Sequence, residues 1–270
     1  MLYRKRPGMQ HGRYFVLKGY DTMKKILIRA DDLGMSKGVN FGIAQAVNEG
    51  IVRSVGVMSN MPDARHGLDL LKRESISLGL HCCISTGRPL LPADRVPSLM
   101  DENGNFKRSS AYRHEDDFAE YEQVRAEIEA QLIELMRLTG KKPDYFEGHA
   151  VASPTFFRAM RDVARQYECD YLEMKWAEPV PFKGARLQGV MPASSPDYDP
   201  YELLRQTLEI PLSEDVIPML ILHPGFIDLP LVQSSSLLKP RILEADMASS
   251  QKAKELLRRC DAQIVAYHEL

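Results

Sequence analysis

Residues 24–36 read Lys24-Lys25-Ile26-Leu27-Ile28-Arg29-Ala30-Asp31-Asp32-Leu33-Gly34-Met35-Ser36, and Lys37 to Gly50 continue KGVNFGIAQAVNEG. Ile26-Leu27-Ile28 is a short apolar run that ends at Arg29-Ala30, the pattern of a buried strand. Ser36 is placed to cap a helix, Val39, Ile43, Ala46 and Val47 recur at helical spacing, and Gly50 stops it. A second strand, Ser54 to Ser59, follows at once. Pro62-Asp63 then opens another helix, with Leu68, Leu70 and Leu71 on its apolar side, and Ile76 to Leu80 forms a third strand ending at His81. Strand and helix alternate with short links, which is the signature of parallel βα units.

The pattern continues beyond an interruption. Residues 84–113 are rich in Pro, Gly and polar side chains, and a loop of that length in a compact domain is usually a lid or a binding loop. A long helix is expected from Glu115 to Leu138, with Val124, Ile128, Leu132 and Leu135 on one side and a solvated charged face on the other. Gly140 ends it. Tyr145-Phe146 begins a strand running into His149, and Pro154 sits in the first turn of the next helix. Residues 177–200 hold several prolines and read as irregular. A helix from Tyr201 to Leu208, a strand from Val216 to Leu222, a helix from Ser249 to Arg259 and a strand from Ile264 to Tyr267 complete the chain.

Bulk composition narrows the class. The chain has 270 residues, 44% hydrophobic and 27% charged, with a net charge of −2. That is one globular domain of a size that α/β barrels reach, with no global electrostatic case for nucleic acid or an anionic membrane as partner. The four cysteines, Cys82, Cys83, Cys169 and Cys260, form no CxxC pair, so they read as small buried hydrophobes in a reducing compartment. Apolar runs are too short to span a bilayer. Residues 1–22 carry five basic side chains but no signal-peptide core, and are expected to be a poorly ordered tail before a single domain over 23–270. The expected location is cytoplasmic.

Chemistry gathers at the strand ends. Asp31-Asp32, His81, His149 and His223 each follow the last residues of an expected strand, and in parallel α/β folds those ends form one rim where active sites lie. A lone histidine is more often a packing or surface residue; several in the same position on different strands are a constellation. His11, His66, His114 and His268 share no such position and take no role. Two imidazoles and a carboxylate make a three-ligand site with open positions. It suits Zn²⁺ and also Mn²⁺, Co²⁺, Ni²⁺ or Fe²⁺, because N/O ligands discriminate poorly. A neighbouring carboxylate can serve as general base and a facing histidine as proton donor.

At these residues the sequence resembles the YdjC-like carbohydrate deacetylases, which include the chitooligosaccharide deacetylases, in order over residues 24–270. Arg29 to Gly38 is similar to the family's NADDFGLS opening. Gly79-Leu80-His81 with Thr86-Gly87-Arg88-Pro89-Leu90 is similar to its G-[LM]-H…GKPL stretch, Lys142-Pro143-Asp144 through His149 to its KP…DSH segment, and Leu222 to Asp228 to CHPAFID. The resemblance implies an α/β fold, an irregular (β/α) TIM-like barrel. It also implies hydrolytic removal of acetyl from an N-acetylated sugar, with a divalent metal (Zn, Mg, Mn, Co or Ni) on Asp32, His81 and His149. By the same matching, Asp31 is the general base and His223 the general acid. Arg241 and Glu244 match a further family element of open role. The implied partner is a small N-acetylated sugar, with no nucleic acid and no membrane, and with a homodimer left open.

The chain departs from the family where Glu147-Gly148-His149-Ala150-Val151-Ala152-Ser153 replaces D-S-H-H-H-x-H, and where Met219 to Leu222 lacks an acidic residue before His-Pro. These changes bear on the substrate and the proton donor. Two other readings follow: a sugar-binding or scaffold protein that has lost catalysis, and another metal hydrolase such as a phosphoesterase. Trp176 is a candidate sugar platform, or equally a packing residue.

Overall fold

The structure is a computed structural model that describes residues 23–113, 118–191, 197–213 and 215–270; the tail expected at 1–22, His11 and His114 lie outside the described residues. In chain order the elements are β1 (Lys24–Leu33), α1 (Lys37–Asn48), β2 (Ser54–Val57), α2 (Ala64–Leu70), β3 (Ser77–Cys82), α3 (Tyr121–Thr139), β4 (Tyr145–Gly148), α4 (Pro154–Gln166), β5 (Val180–Phe182), β6 (Ala185–Val190), α5 (Pro200–Glu209), β7 (Val216–Leu222), α6 (Leu229–Ser234), α7 (Lys239–Ser249), α8 (Gln251–Arg259) and β8 (Ala262–Val265).

The strands form one eight-stranded sheet in the order β4-β3-β2-β1-β7-β6-β5, with β8 also paired to β1. Every pairing is parallel except β5 with β6. Curled into a half-barrel with helices alternating along the chain, the sheet gives the irregular α/β barrel that the sequence implied. Side chains on a strand alternate faces, so each central strand feeds two cores. Ile26, Ile28 and Ala30 of β1, Val55 and Val57 of β2, and Leu220 and Leu222 of β7 pack outward beneath the helices. Leu27, Tyr145, Leu187, Ile217, Met219, Ile221 and Tyr267 fill the inside. Tyr267 stacks on Tyr145 with ring centroids 3.9 Å apart, closing the lower interior with aromatic surface.

The local signals behave as the chemistry requires. Ser36 accepts from the Val39 N–H and caps α1, Ser153 accepts from the Phe156 N–H, and Pro154 opens α4. Four expectations change. α3 begins at Tyr121, residues 118–120 being non-helical and Glu115 lying outside the described residues, and its charged face is not wholly solvated. Glu127 and Gln131 are buried there, receiving the N–H groups of Leu90, Leu91 and Cys83. The 84–113 segment is therefore pinned to α3 and packs Val96, Leu99, Phe106 and Tyr112 inward. Residues 177–200 are not wholly irregular but carry the β5–β6 hairpin, whose Pro181 is tolerated because β5 is an edge strand. The C-terminal helix is preceded by two more, α6 and α7, and Ser250 separates α7 from α8 by capping the latter.

Candidate metal centre

Asp31 and Asp32 lie within β1, not after it. Adjacent strand residues should face opposite ways, yet both carboxylates are buried at the mouth of the half-barrel. A bulge makes this happen. On β1 the partners run Ala30 to Leu33 while on β2 they run only Val55 to Val57, so one extra residue is inserted. Asp32 absorbs it with φ of 75°, a left-handed conformation that aspartate tolerates better than most residues. Gly56 on β2 leaves room for Asp31: a Cβ there would stand 2.8 Å from Asp31 Oδ1 and 3.2 Å from His81 Cβ.

His81 belongs to β3, and His149 follows β4, its N–H donating to the Cys82 carbonyl at 2.8 Å. Together they bring three ligand-type atoms to one point. His81 Nε2 is 3.2 Å from Asp32 Oδ1, His149 Nδ1 is 3.0 Å from the same oxygen, and the two nitrogens are 3.0 Å apart. Donors sharing a zinc-like ion at ordinary bond lengths stand about 3.0–3.4 Å from one another. Asp32 Oδ1 is buried without a hydrogen bond of its own, although both imidazoles face it. The donor set and the orphaned oxygen fit a divalent cation.

The surroundings fix each member. Glu147 Oε1 pairs closely with His81 Nδ1, a contact that keeps a proton on Nδ1 and turns Nε2 toward Asp32. Arg29 Nη2 donates to Asp31 Oδ2 at 2.7 Å and reaches Glu147 Oε2 at 3.4 Å, while its Nη1 donates to the Tyr267 hydroxyl at 3.1 Å. Arg241, from α7, donates to Asp32 Oδ2 at 2.6 Å and its Nη1 lies 3.5 Å from the His223 carbonyl. Glu244, one turn on, accepts the His223 N–H and, at 2.8 Å, the Tyr198 hydroxyl.

Electrostatics sharpen the roles. Burial works against the Asp32 charge, but Arg241 and then His149 hold this carboxyl well below the usual range. Burial likewise opposes a charged His81, while Glu147 and Asp31 raise it well above an ordinary imidazole. Desolvation pulls His223 down to about 4 against the upward pull of Asp32 and Asp31, so this imidazole is neutral at neutral pH. Burial pushes Glu244 up to about 7. His223 Nδ1 and Asp31 Oδ1 are both buried without partners.

The structure thus brings Asp31, Asp32, His81 and His149 together, with His223 tied to them through Arg241. Arg29, Glu147 and Tyr267 were missed by sequence reasoning, and Arg241 and Glu244 were noticed without a role. The usable signal was a charged residue at an inward strand position, Arg29 and Glu147, where only a paired charge survives burial. Gly148 leaves no room for a side chain: a Cβ there would stand 2.6 Å from the Phe156 ring and 2.8 Å from Met160. Trp176 is half exposed beside Gly189 of β6, its ring 3.3 Å from where a Cβ would lie.

Comparison with known proteins adds the following. The model of the YdjC-like protein family matches residues 25–259. A carbohydrate deacetylase of Geobacillus stearothermophilus is 30% identical over 252 residues, 90% of this chain and 96% of that protein. A carbohydrate deacetylase of Enterococcus faecalis is 28% identical over 92% of this chain and 98% of its own length. The crystal structure of a putative cellobiose-phosphate cleavage protein from Enterococcus faecalis superposes with a TM-score of 0.77 at 26% identity, covering 91% of this chain and 98% of that one. Among the described residues, no helix is long and apolar enough to cross a membrane.

Proposed function

The chain belongs to the YdjC-like family, and from that membership we propose that it is a metal-dependent hydrolase that removes acetyl groups from N-acetylated sugars. The observation that carries the proposal is the convergence of Asp32 Oδ1, His81 Nε2 and His149 Nδ1 within 3.0–3.2 Å, with a second carboxylate, Asp31, beside them. Those three residues are the proposed holders of a divalent cation. When bound, such an ion supplies Lewis acidity, polarising the acetyl carbonyl and making water easier to deprotonate.

The remaining steps fall to the chain's own side chains. Asp31 is the proposed general base. Arg29 holds its Oδ2, and Oδ1 stays free to take a proton from the attacking water. The departing amine needs that proton, and His223 is the proposed donor. Because its imidazole is neutral at rest, the proton it hands over is one gained within the cycle, with Asp31 the neighbouring source. Arg241 keeps Asp32 charged, and Glu244 holds the His223 backbone. The half-exposed face of Trp176 is a proposed platform for a sugar ring.

The test is acetate release from N-acetylated mono- and oligosaccharides, with and without a chelator. Release that stops on chelation and returns with metal is the expected result. Asp31→Asn should retain the metal and lose about 10²–10⁴-fold in kcat; full activity in that variant would remove Asp31 as the base. A metal-loaded protein that binds sugars but releases no acetate from any of them would favour the sugar-binding reading. Phosphate release instead would favour a phosphoesterase.

A further inference from the structure

The opposite face of the half-barrel, where strands begin and helices end, carries a cavity of about 730 Å³. Its walls come from the end of α1, the segments leading into β2 and β3, α8, and β8. Five cations line it, Arg53, Lys72, Arg73, Lys254 and Arg258, against one acidic residue, Glu49. The chain as a whole is slightly acidic, at −2, so this concentration of positive charge is local. We infer that the cavity is a binding site for a phosphorylated small molecule, separate from the metal centre and independent of the deacetylase reading.

Two of the cations are held in place. Arg53 donates to the Ile264 carbonyl at 3.1 Å, to Ser75 Oγ at 2.9 Å and to Glu269 at 2.8 Å. Arg73 donates to the carbonyls of Val47 and Gly50, each at 3.3 Å, which also satisfies the last turn of α1. Partial burial, and then the charge of Arg53, depress the Arg73 guanidinium. Arg53 is thus oriented and paired by Glu269, whereas Arg73 is fixed by neutral carbonyls alone and keeps an uncompensated charge toward the cavity. Lys72, Lys254 and Arg258 make no ion pair among the described residues.

The chemistry of the ligand follows. Guanidinium forks match phosphate oxygens in pairs, and pre-positioned ones lose little entropy on binding. Ile51, Leu257 and Ile264 give the same cavity an apolar wall, which suits the uncharged body of an organic phosphate. The cations gather around one open recess rather than run in a stripe across the surface, which favours a small ligand over a polymer. Inorganic pyrophosphate and a nucleoside diphosphate share the recognised group, and the experiment separates them.

Calorimetric titration of the full-length, metal-loaded protein at low salt, with inorganic phosphate, pyrophosphate and adenosine 5′-diphosphate in turn, tests the site. Saturable binding of pyrophosphate or the nucleotide is expected. It should weaken about tenfold or more in Lys72→Gln/Lys254→Gln, and hold in Lys107→Gln/Lys142→Gln, which removes the same charge from residues outside the cavity lining. Arg258→Gln serves as a second cavity variant should the first fold poorly. Tighter nucleotide binding identifies an organic phosphate as the ligand; tighter pyrophosphate binding identifies an inorganic one. Absence of saturable binding overturns the proposal. So does equal behaviour of cavity and control variants, or tighter binding of a double-stranded oligonucleotide than of either phosphate.

Discussion

Glu147 shows how much one side chain can decide at this site. It is buried beside two possible partners, Arg29 and His81, and both hold its carboxyl below the usual range against the cost of burial. Its contact with His81 Nδ1 selects the tautomer that leaves Nε2 free for a cation. Glu147→Gln should therefore weaken metal binding about 10–100-fold, read by competition with a chelating dye; unchanged affinity would show that His81 needs no such partner. Glu244 offers a separate, pH-dependent check. Its folded value of about 7 exceeds its ordinary 4.5, so the folded chain keeps a proton that the unfolded chain has lost between those values. The stability contributed by this group is full below 4.5 and falls as pH rises toward 7, by up to about 3 kcal/mol. His223, depressed from 6.5 to about 4, acts with the opposite sign, losing stability as pH falls through that window. Glu244→Gln removes the first effect and leaves the second. The difference in Tm between variant and parent should then be more favourable to the variant at pH 7.5 than at pH 5, and parallel curves would contradict the assignment.

Among the elements, β3 is the most constrained, because Gly79 faces the Tyr145 ring. A Cβ at Gly79 would stand 2.2–2.5 Å from ring atoms of that tyrosine, itself fully buried and stacked on Tyr267. Gly79→Ala should cost about 1–3 kcal/mol by overpacking, whereas Gly184→Ala, with nothing within 4 Å of its Cβ, should leave the denaturation midpoint nearly unchanged. Equal midpoints for the two variants would mean that the ring gives way easily. The elements also show where sequence was readable. β1, α1, β2, β3 and β7 were legible because their apolar spacing alone specifies them. β5 and β6 were not, since Pro181 and a length of three residues hide β5, while Arg186, Gln188 and Gly189 break the apolar pattern of β6, which exists by pairing with β7. α7 was equally hidden: it buries Arg241 and Glu244, so its inner face reads as polar until Asp32 and the His223 N–H are known to lie opposite. The ligand-type residues were visible from their place at strand ends, but the bulge that turns both Asp31 and Asp32 into the mouth depends on register with β2, which no single segment encodes.

At the scale of the whole molecule, the half-barrel spends its dry interior on charge. Asp31, Asp32 and Glu147 are buried against Arg29 and Arg241, with His81, held charged by Glu147 and Asp31, balancing the third carboxylate, while Glu244 near pH 7 is only partly ionised. Unpaired buried charge is costly, and the proposed divalent cation would take the place of the His81 proton and keep these carboxylates compensated. The proposed ligands come from β1, β3 and the turn after β4, spread along the chain from Asp32 to His149 but gathered by the sheet order, in which β3 lies beside β4 and β2 alone stands between β3 and β1. A cation binding there stabilises the folded form and has no such assembled site in the unfolded one. Occupancy at about 100 times Kd adds about 2.7 kcal/mol, which for a chain of this size raises Tm by about 5–10 °C. Thermal melts of the chelator-treated protein with and without added zinc should show that rise. The same comparison in His149→Ala should show little of it, because two ligands and the open positions hold a cation far less tightly. A metal-dependent shift of equal size in His149→Ala would place the cation elsewhere, with the second cluster of Asp31, His81 and Glu147 the next candidate to test.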